Sequence, residues 1–205
     1  MADHRSIVRT ALRAVADHLQ PVPRSRRIAF VGNSLVQGHM VPADASLPAQ
    51  VAALIGRRWR VANLGVGGQV TAELPDDVGW RGVCVIWEGT NELAAGATAD
   101  DAFGRLRDYC YRQRIARRRV LLLTILPRQQ PGLPEGFDAA RVKVNDRLRG
   151  SYSWHQLIDV AAIPSLSDPT DARFYHDGIH LTPAGYALVA EPVAQEIREP
   201  IFYLT

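Results

Sequence analysis

Only two cysteines occur in the 205 residues, Cys84 and Cys110, both in apolar runs far apart in the chain. That excludes a disulfide-built scaffold. With no Cys or His pairs at metal-ligand spacing it also excludes a zinc module, and the two read as reduced core thiols. Long hydrophobic runs are missing too. The longest, Val120 to Leu126, is interrupted by Thr124 and falls far short of the roughly 18 residues a membrane span needs. The N-terminal stretch carries Arg9, Arg13 and Asp17 and lacks the unbroken apolar core of a signal peptide, so a cytoplasmic location is expected. Lysine is nearly absent: of 24 basic residues only Lys143 is one, and the rest are arginine. An arginine surplus suits bidentate recognition of carboxylate or phosphate, and it equally fits codon bias in a GC-rich genome. The densest run, Arg112 to Arg119, has no interleaved aromatics and no recognised nucleic-acid module. It reads as a solvated helix end facing the helix dipole, and no nucleic-acid partner is expected.

What remains is ordinary: 47% apolar and 22% charged residues with a net charge of +3, the composition of one folded domain. Short apolar runs alternate with amphipathic stretches. Strands are expected at Arg27–Val31, Arg58–Leu64, Gly82–Trp87, Val120–Ile125 and Gln156–Val160. Helices are expected at Leu47–Ile55, Asp100–Arg117, Phe137–Arg149 and Thr182–Ile197, the last capped by Thr182 with Pro183 in its first turn. Strands separated by helices imply a parallel sheet covered on both faces. Residues 1–24 read as a helical extension, its helix over 1–20 ending near Pro21 and Pro23 and able either to pack on the body or to pair two copies as a homodimer. Residues 25–205 read as the domain itself.

In an open parallel sheet, ligands bind beyond the carboxyl ends of the strands. The residues found there include Ser34, in a Gly-Asn-Ser turn after the first strand, and Asp177 and His180, in a D-x-x-H segment before the last helix. A serine hydroxyl is a poor nucleophile until a base takes its proton, and a carboxylate-oriented histidine does this near neutral pH. Asn91 and Gly68 follow the third and second strands and can offer N–H groups to a developing oxyanion. Taken singly, each has a plain structural explanation: a helix cap, a packed histidine, a turn asparagine, a positive-φ glycine.

As an ordered set they closely resemble the SGNH/GDSL hydrolases. The pieces are Val31-Gly32-Asn33-Ser34-Leu35, then Asn63-Leu64-Gly65-Val66-Gly67-Gly68, then Gly89-Thr90-Asn91-Glu92, then Asp177-Gly178-Ile179-His180-Leu181 followed by Thr182-Pro183-Ala184-Gly185-Tyr186. The resemblance spans residues 28 to about 190. It implies a nucleophile at Ser34, a base and acid at His180 oriented by Asp177, and an oxyanion hole of the Ser34 and Gly68 N–H groups with the Asn91 side chain. It departs from the family where Asn33 stands for the usual aspartate and Glu92 for the aspartate after Asn91. It implies no metal and no organic cofactor. The expected fold is a flavodoxin-like three-layer α/β/α sandwich with a five-stranded parallel sheet.

The implied reaction is cleavage of a small-molecule carboxylic ester or thioester through an acyl-enzyme. An acyltransferase with the same residues, passing the acyl group to an alcohol or amine, is the alternative. Around the site, His39, Trp87, Arg128 and His176 are candidate pocket residues, although Trp87 also fits the core and His176 an exposed loop. A dinucleotide site is disfavoured because Val70 stands where the fingerprint needs a third glycine. An α/β-hydrolase elbow is excluded because Val36 replaces its second glycine.

Overall fold

Successive strand residues point to opposite faces of a sheet, so a strand buried on both sides must be apolar throughout. The computed structural model, which describes residues 26–151 and 155–198, shows this alternation in the central strands. Ile28, Phe30, Val83, Val85, Trp87, Leu121 and Leu123 share one core with Leu47, Val51 and the apolar face of the last helix, Tyr186, Val189, Val193 and Ile197. The intervening residues Ala29, Val31, Cys84, Ile86, Val120 and Leu122 build a second core with Phe103, Leu106, Tyr109, Val144 and Leu148. Two cores on one sheet make three layers. Both cysteines are free and buried, and desolvation pushes the Cys84 thiol up to about 12.

The strands are β1 (Arg27–Gly32), β2 (Arg60–Gly65), β3 (Val83–Trp87), β4 (Arg119–Leu123) and β5 (Gln156–Ile158). They are parallel in the order β2-β1-β3-β4-β5. The helices are α1 (Ser34–Gln37), α2 (Leu47–Ile55), α3 (Thr90–Ala94), α4 (Ala99–Ile115), α5 (Phe137–Arg149) and α6 (Pro183–Arg198). This is the flavodoxin-like order, in which the progression of strands across the sheet reverses between β1 and β3, where a crevice opens at the carboxyl ends.

The expected helices at Leu47–Ile55 and Phe137–Arg149 stand at those limits. Elsewhere boundaries move for local reasons. The fourth helix stops at Ile115 because Arg117 takes a left-handed φ of 63°. The fifth strand stops at Ile158, where Asp159 is claimed by Thr124 and Arg149 and the chain turns. Two residues overturn the reading of the arginine run as solvated. Arg118 is 6% and Arg119 3% exposed. Arg118 donates to the carbonyls of Trp80 and Asp76 and to Gln113, and Arg119 donates to Glu196, so both are internal ties between elements. The expected N-terminal helix lies outside the described residues. Among those described, no helix is long and apolar enough to cross a membrane.

Candidate active site

Ser34 owes its place to the two residues before it. At Gly32 a Cβ would lie 2.1 Å from the Trp87 carbonyl oxygen, so only glycine lets β1 run this close to β3 as the chain leaves the sheet. Asn33 then caps α1: its side-chain oxygen accepts the Leu35 N–H at 3.0 Å, which starts the helix with Ser34 at its first position. Ser34 is half-buried at the end of this turn.

The segment 177–180 is a self-contained turn. Asp177 Oδ1 accepts the N–H groups of Ile179 (3.0 Å) and His180 (2.8 Å), while Oδ2 lies 2.7 Å from His180 Nδ1. Burial pushes the Asp177 carboxyl up, but the His180 N–H, the imidazole and the Ile179 N–H more than offset it and hold it below the usual carboxylate range. Gly178 has φ +82°, and a Cβ there would meet the Gln129 carbonyl at 2.2 Å. That glycine also accepts the Gln129 N–H at 2.9 Å, which docks the turn on the segment after β4. On the far side of the ring, His180 Nε2 is 2.9 Å from Ser34 Oγ. A neutral imidazole that donates Nδ1–H to Asp177 carries its lone pair on Nε2, within hydrogen-bond reach of the serine hydroxyl. The turn after β1 thus delivers a hydroxyl, the segment before α6 an imidazole, and they meet.

Asn91 enters from α3. Its Nδ2 donates to the Gln69 carbonyl at 2.8 Å, and its Oδ1 accepts from Arg128 Nη1 at 3.3 Å. The amide is therefore held from both ends, with one N–H still available. Gly68 sits at the exposed tip of the turn after β2, with φ +78° and no heavy atom within 4 Å of the place a Cβ would take. Glu92, 2% exposed, keeps a contact its longer stem could have lost: its Oε1 accepts the Thr71 N–H at 2.7 Å and holds that same connection against α3.

Beside Ser34 lies a cleft walled by Leu35, Trp87, Leu126 and Ile179, with Glu88 and Arg128 as its ionisable members. Trp87 is at once core and wall, 2% exposed, its Nε1 donating to the Thr124 carbonyl. Of the other candidate pocket residues, His39 places its ring 4.6 Å from the His180 ring, edge to face. His176 is exposed, and its backbone N–H donates to the His180 carbonyl at 2.8 Å.

Sequence reasoning passed over Glu88 as a site residue. It is 1% exposed, its Oε1 accepts from Asn33 Nδ2 (2.8 Å) and the Gly89 N–H (3.0 Å), and its Oε2 has no partner. Desolvation, reinforced by the nearby Glu92 charge, pushes it up to about 8. The available signal was a single acid ending an otherwise apolar strand. Its partner also accounts for Asn33: an amide can cap α1 through oxygen and donate to Glu88 through nitrogen, which an ionised aspartate cannot.

A GDSL-like lipase/acylhydrolase family model matches residues 30–188. No curated protein matches the chain by sequence. Solved structures with the same fold include a member of the lipolytic G-D-S-L family from Veillonella parvula, with 19% identity, TM-score 0.66, and 84% of this chain and 97% of that one covered. An aryl esterase of M. smegmatis gives 17% identity, TM-score 0.64, and coverages of 84% and 98%. A carbohydrate acetylesterase from Sinorhizobium meliloti gives 14% identity, TM-score 0.59, and coverages of 84% and 98%. Because the matched stretch runs from the first strand into the last helix and takes in every segment that meets at the crevice, the chain belongs to the GDSL-like lipase/acylhydrolase family.

Proposed function

We propose that the protein is a serine hydrolase that cleaves carboxylic esters through an acyl-enzyme on Ser34. The observation that carries this reading is the unbroken line from Asp177 Oδ2 to His180 Nδ1 (2.7 Å) and from His180 Nε2 to Ser34 Oγ (2.9 Å). Ser34 Oγ attacks the ester carbonyl while His180 takes its proton, and Asp177 steadies the imidazolium. The oxygen that becomes negative is met by the N–H groups of Ser34 and Gly68 and the available Nδ2–H of Asn91. Collapse expels the alcohol, protonated by His180. Water, deprotonated by the same ring, then releases the acid and restores the serine.

4-Nitrophenyl esters of graded acyl length, run on wild type and Ser34→Ala, test the proposal. Release of 4-nitrophenol should fall by about 10⁴–10⁶ in kcat in the variant, the range for removing a nucleophile that acts as one unit with its base. Equal rates in both proteins would end the reading. Product analysis with an added alcohol separates hydrolysis from acyl transfer.

A further inference from the structure

Arg118 and Arg119, the two buried arginines among the described residues, each have an acid within reach: Asp77 at 3.2 Å and Glu196 at 2.7 Å. Arg128 is different. It is half-buried in the cleft wall just beyond β4, and its hydrogen bonds go to neutral acceptors only: Asn91 Oδ1 at 3.3 Å, Thr90 Oγ1 at 3.4 Å and Gln130 Oε1 at 2.8 Å. Its Nε is buried with no partner, and no carboxylate among the described residues pairs with it. A partly desolvated cation without a counter-ion is costly, and burial already weakens this guanidinium's hold on its proton.

The two acids nearest the cleft do not answer it. Asp177 acts on Arg128 from a distance, but its oxygens are taken by His180 and by two backbone N–H groups. Glu88 lines the same cleft, yet its Oε1 is taken by Asn33 Nδ2 and the Gly89 N–H, burial pushes its carboxyl up, and it makes no ion pair with Arg128. The cleft therefore presents one uncompensated, planar, fork-shaped cation, bonded to the very asparagine that would face the reacting carbonyl.

We infer that Arg128 binds a carboxylate of the substrate, so that the preferred esters are anionic, carrying a carboxylate a few bonds from the ester on either the acyl or the alcohol side. This specificity rests on the hydrolase reading above. The anion supplies the missing partner of the guanidinium and, by anchoring one end of the substrate, sets the carbonyl against Ser34.

Two matched pairs of esters separate the sources of the charge. Mono-4-nitrophenyl glutarate against 4-nitrophenyl pentanoate probes an acyl-side carboxylate, and 4-acetoxybenzoate against phenyl acetate probes an alcohol-side one. In at least one pair, wild type should favour the anionic ester in kcat/KM by about 10- to 100-fold, the worth of a charge-assisted hydrogen bond. Arg128→Gln should bring that ratio to about one or below, and Arg128→Lys should retain part of it, since the charge stays and the fork is lost. A wild-type ratio near one in both pairs overturns the inference. So does a ratio unchanged by Arg128→Gln, because an arginine that only positions Asn91 would slow both members of a pair alike.

If no ester is cleaved, the hydrolase reading fails and the anion site is judged by calorimetry. Monomethyl glutarate is titrated into Ser34→Ala and into Ser34→Ala/Arg128→Gln. Binding to the first that is lost in the second sustains the site. No binding to either, or equal binding to both, overturns it.

Discussion

The Asn33 amide donates to the Glu88 carboxyl at 2.8 Å; both residues are 1% exposed and line the cleft, and Asn33 directly precedes Ser34. This bond fixes the residue before Ser34 to the end of β3, so the turn that presents the hydroxyl is tied to the strand beside it. It also makes stability depend on pH. Glu88 is raised from 4.5 to about 8 on folding, so the folded state holds the proton more tightly than the unfolded chain. Its contribution is therefore complete below about pH 4.5 and is lost as the pH rises through about 8. Glu88→Gln keeps an oxygen for Asn33 and the Gly89 N–H but cannot ionise. The free energy of wild type relative to this variant should fall by up to about 1.4 kcal/mol per pH unit across that interval. Denaturant melts of both proteins from pH 4 to 9 measure it, and parallel curves would show that Glu88 ionises normally. Asn33→Asp should steepen the alkaline loss, because two facing carboxyls must then share a proton.

Asn91 is held by the Gln69 carbonyl and by Arg128, so its amide is fixed in place before substrate arrives. A donor that strengthens only as negative charge develops acts on kcat more than on KM. Asn91→Ala should lower kcat by about 10²–10³ and change KM by only a few-fold. Steady-state kinetics on a reactive 4-nitrophenyl ester decide it, and an unchanged kcat removes Asn91 from the oxyanion hole.

Two glycines with nearly the same φ should respond differently to alanine. At Gly178 (φ +82°) a Cβ meets the Gln129 carbonyl at 2.2 Å, whereas at Gly68 (φ +78°) it meets nothing within 4 Å. Gly68→Ala should cost only the left-handed backbone, about 1–2 kcal/mol, and it keeps the N–H proposed for the oxyanion. Gly178→Ala adds the clash, and relief of the clash shifts the turn that carries both Asp177 and His180. It should lose more stability and more kcat than Gly68→Ala. Melting temperatures and kcat for the pair test the order, and the reverse order would mean that the 177–180 turn yields without disturbing the imidazole.

The parts of this molecule that depend on local periodicity were legible in the sequence. The continuous apolar character of Val83–Trp87 gave a two-sided strand, and the alternation of such runs with amphipathic stretches gave the parallel sheet. Because residues following parallel strands share one rim, Ser34, Asn91 and His180 could be grouped before any coordinates. What escaped were polar groups whose environment is made by distant chain. Glu88 finds Asn33 across 55 residues of sequence. Arg118 finds the Asp76 carbonyl across 42 residues. Nothing in a run of arginines says which members point inward. The start of β2 at Arg60 rather than Arg58 is of the same kind, since Arg60 joins the sheet by donating its N–H to the Arg26 carbonyl.

That burial gives the last prediction. Arg118 joins the carbonyls of Trp80 and Asp76, the Gln113 side chain and Asp77, with its own side chain 7% exposed. Truncation leaves a cavity and strips the buried Gln113 oxygen and two part-buried carbonyls of their donor, so Arg118→Ala should destabilise the fold by about 3–5 kcal/mol. Arg112, at the start of the same arginine run, pairs with Asp76 at the surface, both side chains about half exposed or more, and Arg112→Ala should cost less than about 1 kcal/mol. The buried polar contacts of Arg118, unlike a surface ion pair, are little screened, so its effect should survive 1 M salt while that of Arg112 vanishes. Chemical denaturation in urea at low and high sodium chloride measures both, and a loss at Arg118 that salt abolishes would place its guanidinium in solvent.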